Sequence, residues 1–433
     1  MIGSGIGSFR KICAAGFLAA AGILMALLGL CACAGAGDAA AVAASAGAAE
    51  TAGAAETTAA AEDASAAETT RPVIRISSET GGSFASPAGA GTDTAPEGSA
   101  SSADAPVGSA GAAGAGADTA SREVLLTFVG DCTLGGDPTI GSGELFSSLY
   151  TRYGPDYFFR NVRDVFAADD FTMINLEGTF TREETRADKK YCFCADPSCV
   201  DVLTGSSVEL CNLANNHSRD YGPKSYRDTV NALDGAGIRW VRDEDICLVE
   251  AGGVKVGIAG IYELPRHMDA DSIVQEDIKK LREQGAKLVC VEFHWGIEGE
   301  DVPDRNQVAL AHSAIEGGAD LVVGAHPHVL QGMEIYRGKP VVYSMGNFCF
   351  GGNRNPKDKD TMIYQLRVRL DGSGQVVSQM ENVIPCRISS SGKSNDMQPV
   401  ILTGDEAERV LRKIRERSDL LAKTYGTGGS GPG

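Results

Sequence analysis

Two histidines separated by one residue, His326 and His328, have the types and spacing best suited to metal chemistry in this sequence. They come just after the apolar run 321–323, which has the composition of a buried strand. Pro327 has a fixed φ and restricts its neighbour, so the turn that carries the two imidazoles is stiff. Imidazole is the commonest metal ligand. The pattern indicates a metal site, with a pair of hydrogen-bonding loop histidines as the alternative.

Six other apolar runs also end in polar or glycine residues. These runs lie at 124–129, 171–174, 208–214, 254–258, 288–293 and 341–344. The residues after them supply the other candidates for a site: Asp131, Glu177, Asn216, His217, Asp220 and His294. Amphipathic segments at 273–284 and 304–316 predict helices between several runs. Alternating strands and helices are typical of an α/β layered fold, in which ligands bind beyond the carboxyl ends of the strands.

The candidate ligands are oxygen and nitrogen donors without a thiolate, a set that suits Zn, Mn or Fe. A carboxylate such as Glu177 could bridge two cations, and Asn216 would supply a neutral oxygen. Two ions can clamp the attacking and leaving oxygens of a phosphoryl displacement and acidify a bound water. His217, oriented by Asp220, would protonate a leaving oxygen. The alternative for His217 is a group that only holds its loop.

Charge and cysteine content limit the classes of function. The 433 residues carry a formal net charge of -18, which argues against nucleic-acid binding because that requires a basic face. Among twelve cysteines, the close cluster Cys192, Cys194 and Cys199 has no fourth ligand at regular spacing. It predicts a disulfide or free thiols rather than zinc. Lys189 and Tyr191 just before it are assigned to a loop on the substrate side.

The amino-terminal part is predicted to anchor the protein. Arg10 and Lys11 precede an apolar run at 12–30, as in an export signal or an amino-terminal membrane anchor. Residues 30–33 resemble a bacterial lipobox ending at Cys33, so a lipid anchor and an uncleaved helix both remain open. The expected location is extracytoplasmic, anchored to the bacterial cell membrane.

The remaining organisation follows from composition. Segment 34–121 is rich in Ala, Gly, Ser and Thr and lacks large apolar residues, which predicts a disordered linker with one isolated strand-like run at 73–76. Residues 1–33 form the anchor, 122–390 the folded domain and 391–433 a carboxyl-terminal helix with a flexible tail. Run 361–370 is predicted as an edge strand, and Thr403 with Glu406 as a capping box.

The motifs resemble, in order and content, those of the CapA family of poly-gamma-glutamate capsule synthesis proteins, which is related to calcineurin-like metallophosphoesterases. The resemblance covers about residues 123–350. It is carried by Gly130-Asp131, Asn175-Leu176-Glu177-Gly178, Leu213-Ala214-Asn215-Asn216-His217, His294-Trp295-Gly296, Gly324-Ala325-His326-Pro327-His328 and Tyr343-Ser344-Met345-Gly346-Asn347-Phe348. It implies a four-layer metallophosphoesterase-like β-sandwich flanked by helices, around a dimetal centre. Together with the donor set, this predicts one or two divalent ions of Mn, Zn or Fe as the cofactor.

The resemblance also implies roles for single residues. The metal ligands would be Asp131 and His328 on a first ion, Asn216, His294 and His326 on a second, and Glu177 between them. His217 would take the position of the phosphoesterase general acid, with Asp220 beside it. Asn347 and Glu298 are candidates to orient the ligands. Thr133 stands where the phosphoesterases have a histidine, which predicts a weaker or empty first metal site.

Three functions are compatible with these features. The first is metal-assisted hydrolysis or transfer at a phosphoester or amide. The second is a non-catalytic assembly or export factor that holds a polymer in the same pocket, and the third is a structural wall protein with a vestigial pocket. The expected partners are an anionic cell-surface polymer such as poly-gamma-glutamate, the membrane through the anchor, and other capsule-synthesis membrane proteins, but no nucleic acid.

Overall fold

A computed structural model gives the structure of this protein and describes residues 74–78, 121–140 and 143–426. The predicted anchor, most of the predicted linker and the last seven residues of the tail lie outside the described residues. None of the helices that the structure describes combines the length and apolar character that a membrane crossing requires. The described chain is a mixed α/β fold, which confirms the α/β class that the alternating strands and helices predicted.

Strands make up much of the described chain. In chain order they are β1 (Ile74–Ser78), β2 (Arg122–Thr133), β3 (Phe171–Leu176), β4 (Thr179–Phe180), β5 (Cys194–Ala195), β6 (Leu210–Asn212), β7 (Arg239–Val241), β8 (Cys247–Ala251), β9 (Val254–Tyr262), β10 (Leu288–His294), β11 (Leu321–Ala325), β12 (Met333–Tyr336), β13 (Lys339–Val342), β14 (Asn347–Phe350), β15 (Asp360–Leu370), β16 (Val376–Arg387) and β17 (Val400–Ile401). Each of the seven apolar runs contributes to a strand, as predicted.

Helices occupy several of the connections. They are α1 (Gly143–Tyr153), α2 (Arg163–Phe166), α3 (Asp201–Thr204), α4 (Gly222–Ala236), α5 (Asp271–Glu283), α6 (Arg305–Glu316) and α7 (Gly404–Tyr425). Short 3-10 helices lie at Pro155–Tyr157, Pro197–Val200 and His267–Ala270. The start of α6 is fixed by a capping box, in which Asp304 accepts from the backbone of Gln307 and the Gln307 side chain accepts from the Asp304 backbone.

Two large sheets organise these elements. The first contains the path β1-β16-β15-β2-β3-β6-β7, with β14 beside β2 and β17 beside β16. The second has the order β12-β13-β11-β10-β9-β8, and β4 pairs with β5 separately. Strands β2, β3, β6 and β7 are parallel to one another, and so are β9, β10, β11 and β13. Parallel neighbours place their carboxyl ends at one edge of each sheet.

Three clusters of buried apolar side chains connect the layers. The first includes Phe128 of the first sheet and Ile258 of the second, so the two sheets pack on each other. The second includes Ile174 of β3 and Leu233 of α4. The third joins β10 and β11 of the second sheet to α5 and α6. Helices therefore cover the faces of the sheets that point away from each other.

Several local predictions are wrong. Run 361–370 is not an edge strand, because β15 lies between β16 and β2, and only Arg367 and Arg369 within it are exposed. Thr403 is the N-cap of α7 but its side chain makes no cap hydrogen bond. Glu406 instead lies 3.2 Å from Arg387 Nη1. Each prediction used only neighbours in sequence, and a partner distant in sequence decided the outcome.

The strand-like run inside the predicted linker is not isolated. Ile74–Ser78 forms β1 and pairs antiparallel with β16, with Ile74 opposite Val383 and Ser78 opposite Gln379. The pairing extends the first sheet beyond β16. A segment of the predicted linker thus belongs to the sheet.

We expect Gly130→Ala to destabilise the protein by about 3 kcal/mol, because overpacking of a rigid contact forces backbone shifts. A Cβ at Gly130 would lie 1.8 Å from the backbone oxygen of Gly346. Urea unfolding followed by circular dichroism measures the change. The control is Gly235→Ala in α4, where a Cβ meets nothing within 4 Å. We expect it to stabilise by about 0.5–1 kcal/mol, and equal unfolding midpoints for the two variants would contradict the close approach.

Candidate metal centre

The predicted site residues meet at the carboxyl ends of strands from both sheets. Asp131 lies in β2 and His294 ends β10, while Glu177 and His326 directly follow β3 and β11. The sheets touch here, because the backbone N–H of His326 lies 3.3 Å from both carboxylate oxygens of Asp131. Asn216 comes from the loop after β6. The convergence expected from the strand order is therefore present.

Two overlapping groups of side chains have the geometry to hold metal ions. The first group is Asp131, Glu177 and His294, and the second is Glu177, His326 and His328. In each group the ligand atoms lie within 4.8 Å of one another. Glu177 belongs to both groups, as a bridging carboxylate would. The family resemblance instead placed His294 with His326, so the assignment of ligands to individual ions stays a prediction.

Glu177 provides the test of whether a cation fits. Its carboxylate is fully buried, and neither oxygen has a hydrogen-bond partner among the described residues. Oε1 lies 3.9 Å from His217 Nε2, 3.8 Å from His294 Nε2 and 3.7 Å from His328 Nε2. These distances are too long for hydrogen bonds, but two ligands at about 2.0–2.2 Å from one ion would lie up to about 4.4 Å apart. The residues fit a cation.

Burial sets the protonation of Glu177 in this pocket. Burial raises the pKa of the carboxyl, the charge of His328 opposes the rise and the carboxylate of Asp131 adds to it, and the resulting pKa is about 8. A positive ion beside Glu177 would favour the charged form, because an opposite charge at short range lowers the pKa of an acid. The carboxylate would then serve as a ligand.

An amide that the sequence analysis did not single out orients ligands from both sheets. Asn175 Nδ2 donates to Asp131 Oδ1 at 2.7 Å and lies 3.2 Å from His294 Nδ1. His294 Nε2 lies 2.9 Å from Asn216 Oδ1. Asn175 precedes Glu177 by two residues, and the period of two in a strand puts both side chains on one face. That spacing is the signal that could have identified it.

The backbone of both histidines in the His-Pro-His turn is in the left-handed region. The φ angle is 96° at His326 and 58° at His328. Such values are uncommon for residues other than glycine, and strained backbone of this kind concentrates at functional sites. Pro327 between them narrows the conformations open to the turn, as the sequence indicated.

The two histidines of this turn have opposite electrostatic environments. Burial lowers the pKa of His328, but the carboxylates of Glu177 and Asp131 outweigh it and raise the pKa to about 10. Nδ1 of His328 lies 3.1 Å from Asp131 Oδ2 and 2.9 Å from Asn347 Oδ1. For His326, burial and the positive charge of His328 lower the pKa to about 3. His326 is therefore a neutral imidazole, the form that binds metals.

His217 and Asp220 form a hydrogen-bonded pair beside these groups. His217 Nδ1 lies 2.7 Å from Asp220 Oδ2, which leaves Nε2 on the side of Glu177. Burial lowers the pKa of His217, while the hydrogen bond to Asp220 opposes the shift. The ring of Phe193 packs on the imidazole at 4.4 Å between centroids. With Nδ1 held by Asp220, the ring presents Nε2 to the metal-binding groups, where it can accept a proton and, once protonated, donate it.

Lys189 contacts both members of the His217–Asp220 pair. Its Nζ lies 2.5 Å from Asp220 Oδ1 and 3.2 Å from His217 Nδ1, and it donates to the backbone oxygen of Asn216 at 2.7 Å. The ammonium therefore positions both the aspartate and the loop that carries Asn216. The sequence placed Lys189 on a substrate-side loop but did not indicate this contact.

Other candidates contribute less to the site. The Thr133 hydroxyl is buried and has no hydrogen-bond partner among the described residues. Burial raises the pKa of the Cys132 thiol, which keeps it protonated and a poor ligand. All nine cysteines that the structure describes are free, including the Cys192 cluster.

His312 and His267 do not belong to the site. His312 Nε2 lies 2.8 Å from Glu334 outside the site, and the His267 side chain is 70% exposed.

A cavity of about 890 Å³ opens beside the metal-binding groups. It has aromatic, basic and acidic walls. Its lining includes Tyr191, Phe193, His217, His328 and Phe350. A substrate could therefore reach His217 and His328 from this side.

We expect His326→Gly to be more stable than His326→Ala by about 1 kcal/mol in the metal-free protein. Both variants lose the same ring, but only glycine adopts a positive φ without strain. Urea unfolding of both proteins in EDTA measures the difference. Identical midpoints would show that the backbone at residue 326 is not strained.

Comparison with known proteins agrees with the resemblance of the motifs. A family model described as bacterial capsule synthesis protein PGA_cap matches residues 125–352. The capsule biosynthesis protein CapA of Bacillus anthracis is 31% identical over 320 residues, which cover 68% of this chain and 73% of that protein. The PGA biosynthesis protein CapA of Bacillus subtilis (strain 168) is 29% identical over 279 residues, which cover 59% and 71%.

A probable polyglutamine synthesis accessory protein of Mycobacterium tuberculosis is 30% identical over 258 residues, covering 51% of this chain and 67% of that protein. The crystal structure of a hypothetical protein from Thermus thermophilus has a TM-score of 0.39 at 18% identity, covers 60% of this chain and 99% of its own, and is too distant to bear on fold or function. Because the family model spans more than half of the chain, the protein belongs to the PGA_cap family of bacterial capsule synthesis proteins, the CapA family that its motifs indicated.

Proposed function

We propose that this protein acts in the synthesis of an anionic capsule polymer such as poly-gamma-glutamate, through a metallophosphoesterase-like centre that holds one or two divalent ions. The observation that carries the proposal is Glu177, a buried carboxylate that faces three histidines and has no hydrogen-bond partner among the described residues. The names of the Bacillus relatives support the capsule and the polymer.

The ligands would be the predicted set of Asp131, Glu177, Asn216, His294, His326 and His328. Oxygen and imidazole donors suit Mn, Zn or Fe. When bound, the metal would polarise a substrate oxygen and lower the pKa of a coordinated water. The packing of two sheets between helices, with the site at the strand ends, supports the likeness to metallophosphoesterases that the motifs implied.

The residues of the chain would supply orientation and proton transfer. Asn175 fixes Asp131 and His294 before any ligand arrives. Asp220 holds the His217 ring, and Lys189 holds Asp220. In its protonated form, with Nδ1–H on Asp220, His217 would give the Nε2 proton to the oxygen that leaves the substrate and return to the neutral imidazole, and Phe193 limits the access of water to the ring.

The location belongs to the same proposal. The basic residues and apolar run near the start of the chain support export across the cell membrane, with a lipid at Cys33 or an uncleaved helix as the anchor. The Ala, Gly and Ser-rich segment would act as a tether. An anchored domain of this kind would work with other capsule-synthesis proteins in the membrane and on the polymer outside it.

The purified chain should contain one or two equivalents of a transition metal, measured by elemental analysis after preparation without chelators. His294→Ala should lose at least half of this metal, because the remaining ligands would hold the ion more weakly. The matched control is His267→Ala, which removes an exposed histidine outside the site and should keep the full content. A wild-type protein without metal under these conditions would contradict the metal centre.

Loss of the general acid should slow turnover without emptying the site. We expect His217→Ala to lower kcat about 10²–10⁴-fold on any phosphoester or polyglutamate substrate that the wild type turns over, since that is the usual contribution of a positioned acid. Its metal content should equal that of the wild type. Unchanged kcat in His217→Ala would remove His217 from the reaction.

A non-catalytic assembly or export factor is the second candidate. The buried Thr133 hydroxyl, at the position where phosphoesterases have a histidine, favours it because the first ion would lose a ligand. The two candidates differ in cells. Capsule formation that persists with His217→Ala but fails with His294→Ala would favour the assembly factor.

A further inference from the structure

A cluster of basic residues surrounds a second cavity, of about 460 Å³. Every residue that lines this cavity is charged: Lys357, Asp358, Lys359, Asp360, Arg387, Arg409 and Lys413. We call its five cationic side chains the basic cluster. They outnumber the two carboxylates by three, on a chain whose formal net charge is -18. The protein therefore concentrates positive charge here against its overall balance.

The two carboxylates are already satisfied within the cavity. Both oxygens of Asp360 accept from Arg409 at 2.7 Å, and Lys413 also pairs with this carboxylate. Both oxygens of Asp358 lie 3.0 Å from Lys413. These pairs hold α7 against the start of β15 and fix two members of the cluster in place.

Of the other three cations, Lys357 and Lys359 retain free capacity, whereas the Arg387 guanidinium is engaged by the backbone oxygens of Ser389 and Ser390 and by Glu406. Lys357 is exposed and has no carboxylate within ion-pair distance among the described residues. Among the residues that the structure describes, Lys359 donates only to the backbone oxygen of Pro356, at 3.0 Å. The carboxylate of Glu406, 3.2 Å from Arg387, is itself 56% exposed. The positive charge of the cavity is thus not cancelled by its neighbours.

The basic cluster is continuous with the cavity of the metal centre. Lys357 and Asp358 line both cavities. The loop that connects them starts at β14, where Asn347 contacts His328, and ends at β15, where Asp360 binds Arg409. A chain-like ligand that lies against His328 would pass Lys357 and enter the basic cluster.

We propose that the basic cluster binds the carboxylates of a linear anionic polymer whose other end occupies the metal centre, and so forms the track along which the polymer lies. This inference rests on the proposed function. A polycarboxylate fits because its regularly spaced negative charges can occupy both cavities at once, which a small anion cannot do. Exposed cations attract such a chain over about one Debye length, so the binding should weaken with salt.

The test is the binding of fluorescently labelled poly-gamma-glutamate to the full chain, measured by anisotropy at low and at physiological salt. The double variant Lys357→Gln/Lys359→Gln should bind about fivefold to tenfold more weakly, as expected for the loss of two partly exposed cations. The matched control Lys255→Gln/Lys287→Gln makes the same charge change at a separate cavity. It should stay within about twofold of the wild type.

Additional ligands and one further variant distinguish the possible explanations of a change in binding. A glutamate dimer should bind the wild type and the Lys357→Gln/Lys359→Gln variant equally, because it is too short to reach the cluster. The single variant Lys357→Glu, at an exposed position, should weaken polymer binding by itself. Equal losses in the two double variants, or no loss in either, would overturn the track. Tighter binding of a polyphosphate of equal charge would overturn the polycarboxylate as its occupant.

Metal analysis of the same samples distinguishes this inference from the proposed function. If EDTA-treated protein still binds the polymer and the Lys357→Gln/Lys359→Gln variant still weakens that binding, the track stands without the metal centre. If the metal is present and the wild type does not bind the polymer, the track is overturned while the metal centre stands.

Discussion

The burial of two carboxylates in one small volume is the constraint on which this site depends. Asp131 and Glu177 are both fully buried. Asp131 is compensated by the Asn175 amide, the His326 backbone N–H and the His328 ring. Glu177 has no comparable partner among the described residues. Its pKa of about 8, raised chiefly by burial, keeps the carboxyl largely protonated at neutral pH, and a cation between Glu177 and the histidines would stabilise its charged form.

Two sheets are needed to assemble such a centre. The first sheet delivers the carboxylates at the ends of β2 and β3, and the second delivers His294 and His326 at the ends of β10 and β11. This arrangement also brings the backbone of Gly130 close to that of Gly346 and gives the two histidines of the His-Pro-His turn positive φ values. The apolar core between the sheets holds these strained ends together.

Much of this arrangement could be read from the sequence because it depends on local signals. Each apolar run specified a strand, and the ends of β2, β3, β10 and β11 carry the residues of the two metal-binding groups. What the sequence could not show depends on contacts between distant segments. Lys189 gains its role only because its loop folds over Asn216 and Asp220. Likewise, β15 is central only because β2, far earlier in the chain, pairs along it.

The metal centre and the basic cluster are both places where an acidic protein can attract an anionic polymer. An acidic protein repels an acidic polymer over most of its surface, and the repulsion makes nonspecific adhesion unfavourable. Attraction requires places where cations exceed carboxylates, and the proposed ion at Glu177 and the cavity of Lys357 and Arg387 are two of them. Because one loop joins these two places, they determine the direction of a bound polymer as well as its position. A polymer held at both would lie in a single orientation, with one defined bond presented to His217.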